Sequence, residues 1–92
     1  MTSRDPNLGQ EALAEMKTKF PEEKNRLFFK DLDIDSSQSI DNFVDYIKKN
    51  HQKLDILVNN AAINDRNDWD LNYKIPKDMI TQIMKTNFFA TV

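Results

Sequence analysis

Apolar positions recur at near-helical spacing from the start of the chain, at Leu8, Ala12, Leu13, Met16 and Phe20. They predict a helix over Pro6–Lys19. Asp5 stands where an N-cap belongs, Pro6 suits the first helical position, and Pro21 ends the helix. After the charged turn at Glu22, Glu23, Lys24 and Asn25, an aromatic-rich apolar run from Leu27 to Leu32 predicts a short strand. The period then returns to helical: Ile40, Phe43, Val44 and Ile47 form one stripe, which predicts a helix from Ser36 to Asn50. Asp35 and Gln38 occupy capping-box positions at its start, and Lys48, Lys49 and His51 suit the negative end of its dipole.

The next stretch changes character. Ile56, Leu57 and Val58 are consecutive apolar residues without alternation. They predict a strand from Leu54 to Asn59 of the kind that parallel sheets bury between two helical layers. It ends on two asparagines and two alanines, at the carboxyl end where open α/β sheets bind ligands. A polar loop over 64–75 carries Trp69 and Tyr73, and Pro76 opens a last helix with Met79, Ile80, Ile83, Met84 and Phe88 on one face. Asn87 falls on that same face, four residues after Ile83, so its amide is expected to point inward.

Composition narrows the class. The 92 residues make at most one small domain, with a marginal core at 39% hydrophobic and 30% charged residues. Lys and Arg number 13 against 15 Asp and Glu, scattered rather than gathered, so no nucleic-acid footprint is expected. The absence of cysteine and the presence of one histidine remove disulfide, thiolate and zinc chemistry. No secretory signal or membrane span stands out, and a soluble cytoplasmic chain is the simplest expectation. Gly9 is the only glycine, so a phosphate-cradling glycine loop cannot be built from these residues.

Asn59-Asn60-Ala61-Ala62 resembles the Asn-Asn-Ala-Gly motif of the short-chain dehydrogenase/reductase family, with alanine in place of the glycine. The similarity extends in order through Leu32-Asp33-Ile34-Asp35 and Lys85-Thr86-Asn87-Phe88-Phe89. More narrowly, it looks like that of the NADPH-dependent carbonyl reductases. The resemblance implies an α/β fold: residues 1–92 as an incomplete dinucleotide-binding domain, a partial Rossmann-type doubly wound parallel sheet lacking the first strands and the C-terminal half.

It also implies roles. Arg4 matches the basic residue that pairs with the ribose 2′-phosphate of NADPH, for which a guanidinium is well shaped. Asp33 matches the carboxylate that receives the adenine amino group, with the Ile34 backbone beside it. Asn60 matches a residue lining the ribose side of the cleft, and Asn87 the asparagine of the Asn-Ser-Tyr-Lys catalytic set. Trp69 and Tyr73 either flank a pocket for a small-molecule carbonyl substrate or pack their loop down. The oligomeric state is not legible in these residues.

The family's glycine-rich turn and catalytic serine do not occur in this sequence, and Tyr73-Lys74-Ile75-Pro76-Lys77 matches its Tyr-x-x-x-Lys pair in letters only. Tyr46 and Lys49 are three residues apart, and Tyr73 and Lys77 are separated by Pro76, which denies them the helical turn such a pair needs. The expectation is therefore a fragment of a carbonyl reductase, inactive alone. The alternative is a truncated, non-catalytic paralogue that partners a full-length reductase.

One structural expectation is specific. In the family's strand order 3-2-1-4-5, the strand at Leu27 to Leu32 is third, that at Leu54 to Asn59 is fourth, and the first two belong between them. If the chain folds alone, the two are expected to close up and pair in parallel, with the helix from Ser36 to Asn50 as the crossover.

Overall fold

The computed structural model describes residues 1–63 and 76–90. The chain divides into two units, Met1–Leu54 and Asp55–Val92.

The first unit is a small parallel βαβ arrangement followed by a helix. β1 (Thr2–Ser3) leads into α1 (Pro6–Lys19), a 3-10 turn (Pro21–Arg26), β2 (Lys30–Asp31) and α2 (Ser37–Asn50). Thr2 stands opposite Lys30 and Ser3 opposite Asp31. The ladder runs beyond these pairs: Met1 O accepts from the Lys30 N–H (3.1 Å) and Ser3 O from the Leu32 N–H (3.0 Å). The Met1 ammonium donates to Phe28 O at 2.8 Å.

α1 forms where the pattern placed it. Asp5 Oδ1 accepts the N–H of Asn7 (2.8 Å) and of Leu8 (3.2 Å), satisfying donors that the first helical turn leaves open. The helix lies on both strands, and Gly9 is its one buried residue. A Cβ there would fall onto Cε2 and Cζ of the Phe29 ring. The lone glycine thus serves the packing of the helix against the segment that enters β2.

α2 begins one residue later than the capping-box reading placed it. The N-cap is Ser36, whose Oγ accepts the Ser39 N–H at 3.2 Å, and not Asp35. Asp35 instead donates its own N–H to Asp33 Oδ1 (3.0 Å), which bends the chain before the helix starts. At the other end, the N–H groups of His51 and Gln52 both reach Ile47 O (2.9 Å each), with Gln52 at φ 67°. The His51 ring stands edge-on to Phe28 (5.3 Å between centroids) and to Tyr46 (5.6 Å), tying the end of α2 to the entry of β2. The Lys30 ammonium lies 5.9 Å from the Tyr46 centroid and 2.8 Å from Asp31 Oδ1, and this bond holds the Asp31 carboxyl below its ordinary range.

Three strand expectations change. The strand expected at 27–32 contracts to Lys30–Asp31, because pairing reaches only as far as β1 does. A strand does precede α1, contrary to the expectation that none is present, since Thr2 and Ser3 form β1. The segment 54–59 is not a strand, and it does not pair with β2, whose partner is β1. Extended backbone is stabilised by the ladder beside it, and among the described residues nothing supplies one to 54–59. Ile56, Leu57 and Val58 are accordingly 79%, 67% and 75% exposed rather than covered by two helical layers.

In the second unit the chain runs without regular structure to Ile63. α3 (Lys77–Met84) follows Pro76 and opens into a π turn (Lys85–Phe89), closed by the Ala90 N–H on Lys85 O at 2.8 Å. The expected apolar face is only partly covered. Met79 and Ile83 are half-buried, whereas Ile80, Met84 and Phe88 are exposed.

Among the described residues no apolar side chain is fully buried, and no helix is long and apolar enough to cross a membrane. The architecture is a partial Rossmann-like α/β arrangement around a two-stranded parallel sheet.

Candidate functional site

Parallel neighbours release the chain at the same edge of a sheet. Arg4 follows β1 directly, and Asp33 and Ile34 come just after β2, where the Leu32 N–H still bonds to Ser3 O. Three of the expected cofactor residues therefore leave from the carboxyl edge of adjacent strands, the edge at which such sheets bind ligands. Arg4 is exposed, and Asp33 and Ile34 are half-buried. The carboxylate nearest to Arg4 in sequence, Asp5, is turned to the amides of Asn7 and Leu8 and caps α1.

The turn from Asp33 to Ser36 is held by its own side chains. Asp33 Oδ1 accepts from the Asp35 N–H (3.0 Å), Asp33 O accepts from the Ser36 N–H (3.1 Å), and the Asp33 N–H is taken by Ser39 Oγ (2.9 Å). An ionised carboxylate only accepts. Asp33 thus holds the turn through its N–H, its C=O and one carboxylate oxygen.

In the second unit, Asn87 reaches back 24 residues to Ile63. Its Oδ1 accepts the Ile63 N–H and its Nδ2 donates to Ile63 O, each at 2.7 Å. The amide reads the backbone of one residue in both directions, as a neighbouring strand would. Asn87 is half-buried in the middle of the π turn, a local widening common at functional sites. Asn60 lies three residues before Ile63 and is exposed.

Reading the sequence did not single out Ser39 or Ile63. Ser39 stands three residues after the cap Ser36, a spacing that marks a side chain able to reach back across a helix start. Ile63 contributes only backbone atoms and left no side-chain signal. Trp69 and Tyr73 lie outside the described residues. Among the described residues no group of three His, Cys, Asp or Glu side chains is placed to hold a metal ion.

Comparison with known proteins adds to this geometry. Residues 6–92 match the family model described as short chain dehydrogenase. The chain is 36% identical over 91 residues to carbonyl reductase [NADPH] 3 of Homo sapiens, covering 99% of this chain and 30% of that protein. It is 35% identical over 91 residues to carbonyl reductase [NADPH] 1 of Mus musculus, with the same coverage of 99% and 30%. Over 63 residues it is 41% identical to (+)-neomenthol dehydrogenase of Arabidopsis thaliana, covering 68% of this chain and 21% of that one. No solved structure matches the chain. The chain spans about a third or less of the length of these relatives. With a family match over residues 6–92 and a relative 36% identical over 99% of its length, this chain belongs to the short-chain dehydrogenase family.

Proposed function

We propose that this chain is the central part of an NADPH-dependent carbonyl reductase, holding the adenosine end of the cofactor, and that by itself it does not reduce carbonyls. The observation that carries the reading is the placement of Arg4 and of Asp33 with Ile34 at the carboxyl ends of adjacent parallel strands. The names of its carbonyl reductase relatives support the choice of cofactor and reaction class.

In this reading the Arg4 guanidinium takes the 2′-phosphate, the Asp33 carboxylate accepts from the adenine amino group, and the Ile34 N–H stands beside it. Asn60 lines the ribose side, and Asn87 supports the catalytic set through its hold on Ile63. The bound cofactor supplies the hydride for a ketone or aldehyde carbonyl. The setting proposed is the cytoplasm.

Catalysis needs parts that these residues do not include, a phosphate-holding glycine turn and a proton-donating tyrosine. Positioning and acid catalysis are each worth orders of magnitude in rate. The test has two arms. Carbonyl-dependent NADPH oxidation by protein freed of host reductases should not exceed that of a heat-treated control. Adenosine 2′,5′-bisphosphate should shift the amide resonances of Arg4 and Ile34, and Arg4→Ala should abolish the preference over adenosine 5′-monophosphate. Turnover above the control would overturn the claim of inactivity. The absence of any response at Ile34 would overturn the cofactor site.

A further inference from the structure

The backbone donors between β2 and α2 are assigned one after another. The Leu32 N–H goes to Ser3 O, the Asp33 N–H to Ser39 Oγ, the Asp35 N–H to Asp33 Oδ1 and the Ser36 N–H to Asp33 O. Between them stands the Ile34 N–H, which meets no acceptor among the described residues. Two features keep it so. Asp33 turns one carboxylate oxygen toward Asp35, skipping the residue between them. Ser39, at the third position of α2, sends its hydroxyl back past the N-cap and occupies the donor just before Ile34.

We propose that Ser39 is the positioning residue of the adenine subsite: its hold on the Asp33 N–H sets the Asp33 carboxylate and the Ile34 N–H side by side as an acceptor and a donor. This rests on the reading of Asp33 and Ile34 as the adenine-binding pair. The base edge that fits such a pair carries an amino group next to a ring nitrogen, which is the edge adenine presents, and guanine offers the reverse order at the corresponding atoms. Ser39 itself does not touch the ligand. It acts through the turn, because the Ser36 hydroxyl takes the Ser39 N–H (3.2 Å) while the Ser39 hydroxyl takes the Asp33 N–H (2.9 Å). The start of α2 and the turn before it are thereby fastened to each other in both directions. Without the Ser39 hydroxyl, the half-buried Asp33 N–H loses its acceptor, and the cheapest repair is a shift of the turn that brings it to water or to a neighbouring carbonyl. Either shift moves the carboxylate away from the Ile34 donor.

The experiment compares Ser39→Thr with Ser39→Val in the full chain. The two side chains share shape and β-branching and differ only in the hydroxyl. Adenosine 5′-monophosphate is titrated against amide resonances, with guanosine 5′-monophosphate as the competitor differing only in the base, and hydrogen exchange is followed at Asp33 and through α2. The threonine variant should keep the wild-type affinity and slow exchange at Asp33. The valine variant should lose about tenfold in affinity, exchange Asp33 rapidly, lose its preference for adenine over guanine, and keep the exchange protection of the middle of α2. Ser39→Ala, which favours helix, should repeat the valine result and decides the matter if β-branching at this position costs the fold. Equal affinity and base preference in the variants with and without the hydroxyl would overturn the role of Ser39 and leave the adenine site standing. Failure of the wild-type chain to respond at Ile34 would overturn the adenine site, and this proposal with it.

Discussion

Asn87 was legible as an inward-facing position, but its purpose was not. Helical spacing set it on the side of Ile83, and it is half-buried there. The target is a backbone unit 24 residues away, and no pattern of side chains announces a backbone target. Asn87→Ala removes both bonds at once and leaves a donor and an acceptor on Ile63 without them. It should destabilise the second unit by about 2 kcal/mol, measured by denaturant unfolding, with faster exchange at the Ile63 amide. Asn87→Asp keeps the acceptor but turns a carboxylate towards Ile63 O, so it should cost at least as much. Gly9 shows the opposite case. Its solitude drew attention only to the lack of a glycine-rich turn, and its use in packing could not be read without knowing that Phe29 faces it. Gly9→Ala raises helix propensity by about 1 kcal/mol, but its methyl group meets the Phe29 ring, and overpacking of this kind costs about 1–3 kcal/mol. A lower melting temperature for Gly9→Ala, recovered in part by Phe29→Leu, is the expected result.

Helices were the legible elements because their evidence is local. A cap, a period and a terminating residue all sit within the segment, and α1 has its predicted bounds in the structure. α2 differs only at its cap, where Asp33, Ser36 and Ser39 divide the local donors in a way that the capping-box pattern does not anticipate. Its far end retains a correctable defect. Gln52 sits at φ 67°, a conformation in which a Cβ is crowded and glycine is the usual occupant after a helix. Gln52→Gly should therefore raise unfolding free energy by about 0.5–1 kcal/mol, the relief of strain outweighing the greater freedom of glycine in the unfolded chain. Strands were less legible because half of their evidence lies elsewhere. Ile56, Leu57 and Val58 were expected in a sheet covered on both sides and are exposed instead, because composition cannot supply the neighbouring strand.

Across the whole molecule, the order of the helices and the α/β class were readable. So was the place of Asp33 after a strand, whereas the strand before Arg4 was not expected. Which strands pair was not, because the expectation took the strand before α1 to be absent, and Thr2–Ser3 then provided β2 with a nearer partner. The result is a chain with exposed apolar residues and no fully buried apolar side chain among those described. An exposed run of aliphatic residues without a ladder is a template for pairing between molecules. The protein should self-associate as its concentration rises, and Leu57→Lys should reduce that association in sedimentation experiments while leaving the helical signal of the first unit unchanged.

The Met1 ammonium, at 2.8 Å from Phe28 O, has a practical meaning for handling the protein. It fills a rung that an ordinary peptide N–H would fill in a longer strand. A polypeptide fused ahead of Met1 would convert that cation into an amide at the same place, so its first residues would be drawn along β2 as added strand. An N-terminal affinity tag would then become part of the sheet it was meant to hang from, and acetylation would keep the rung while removing the charge.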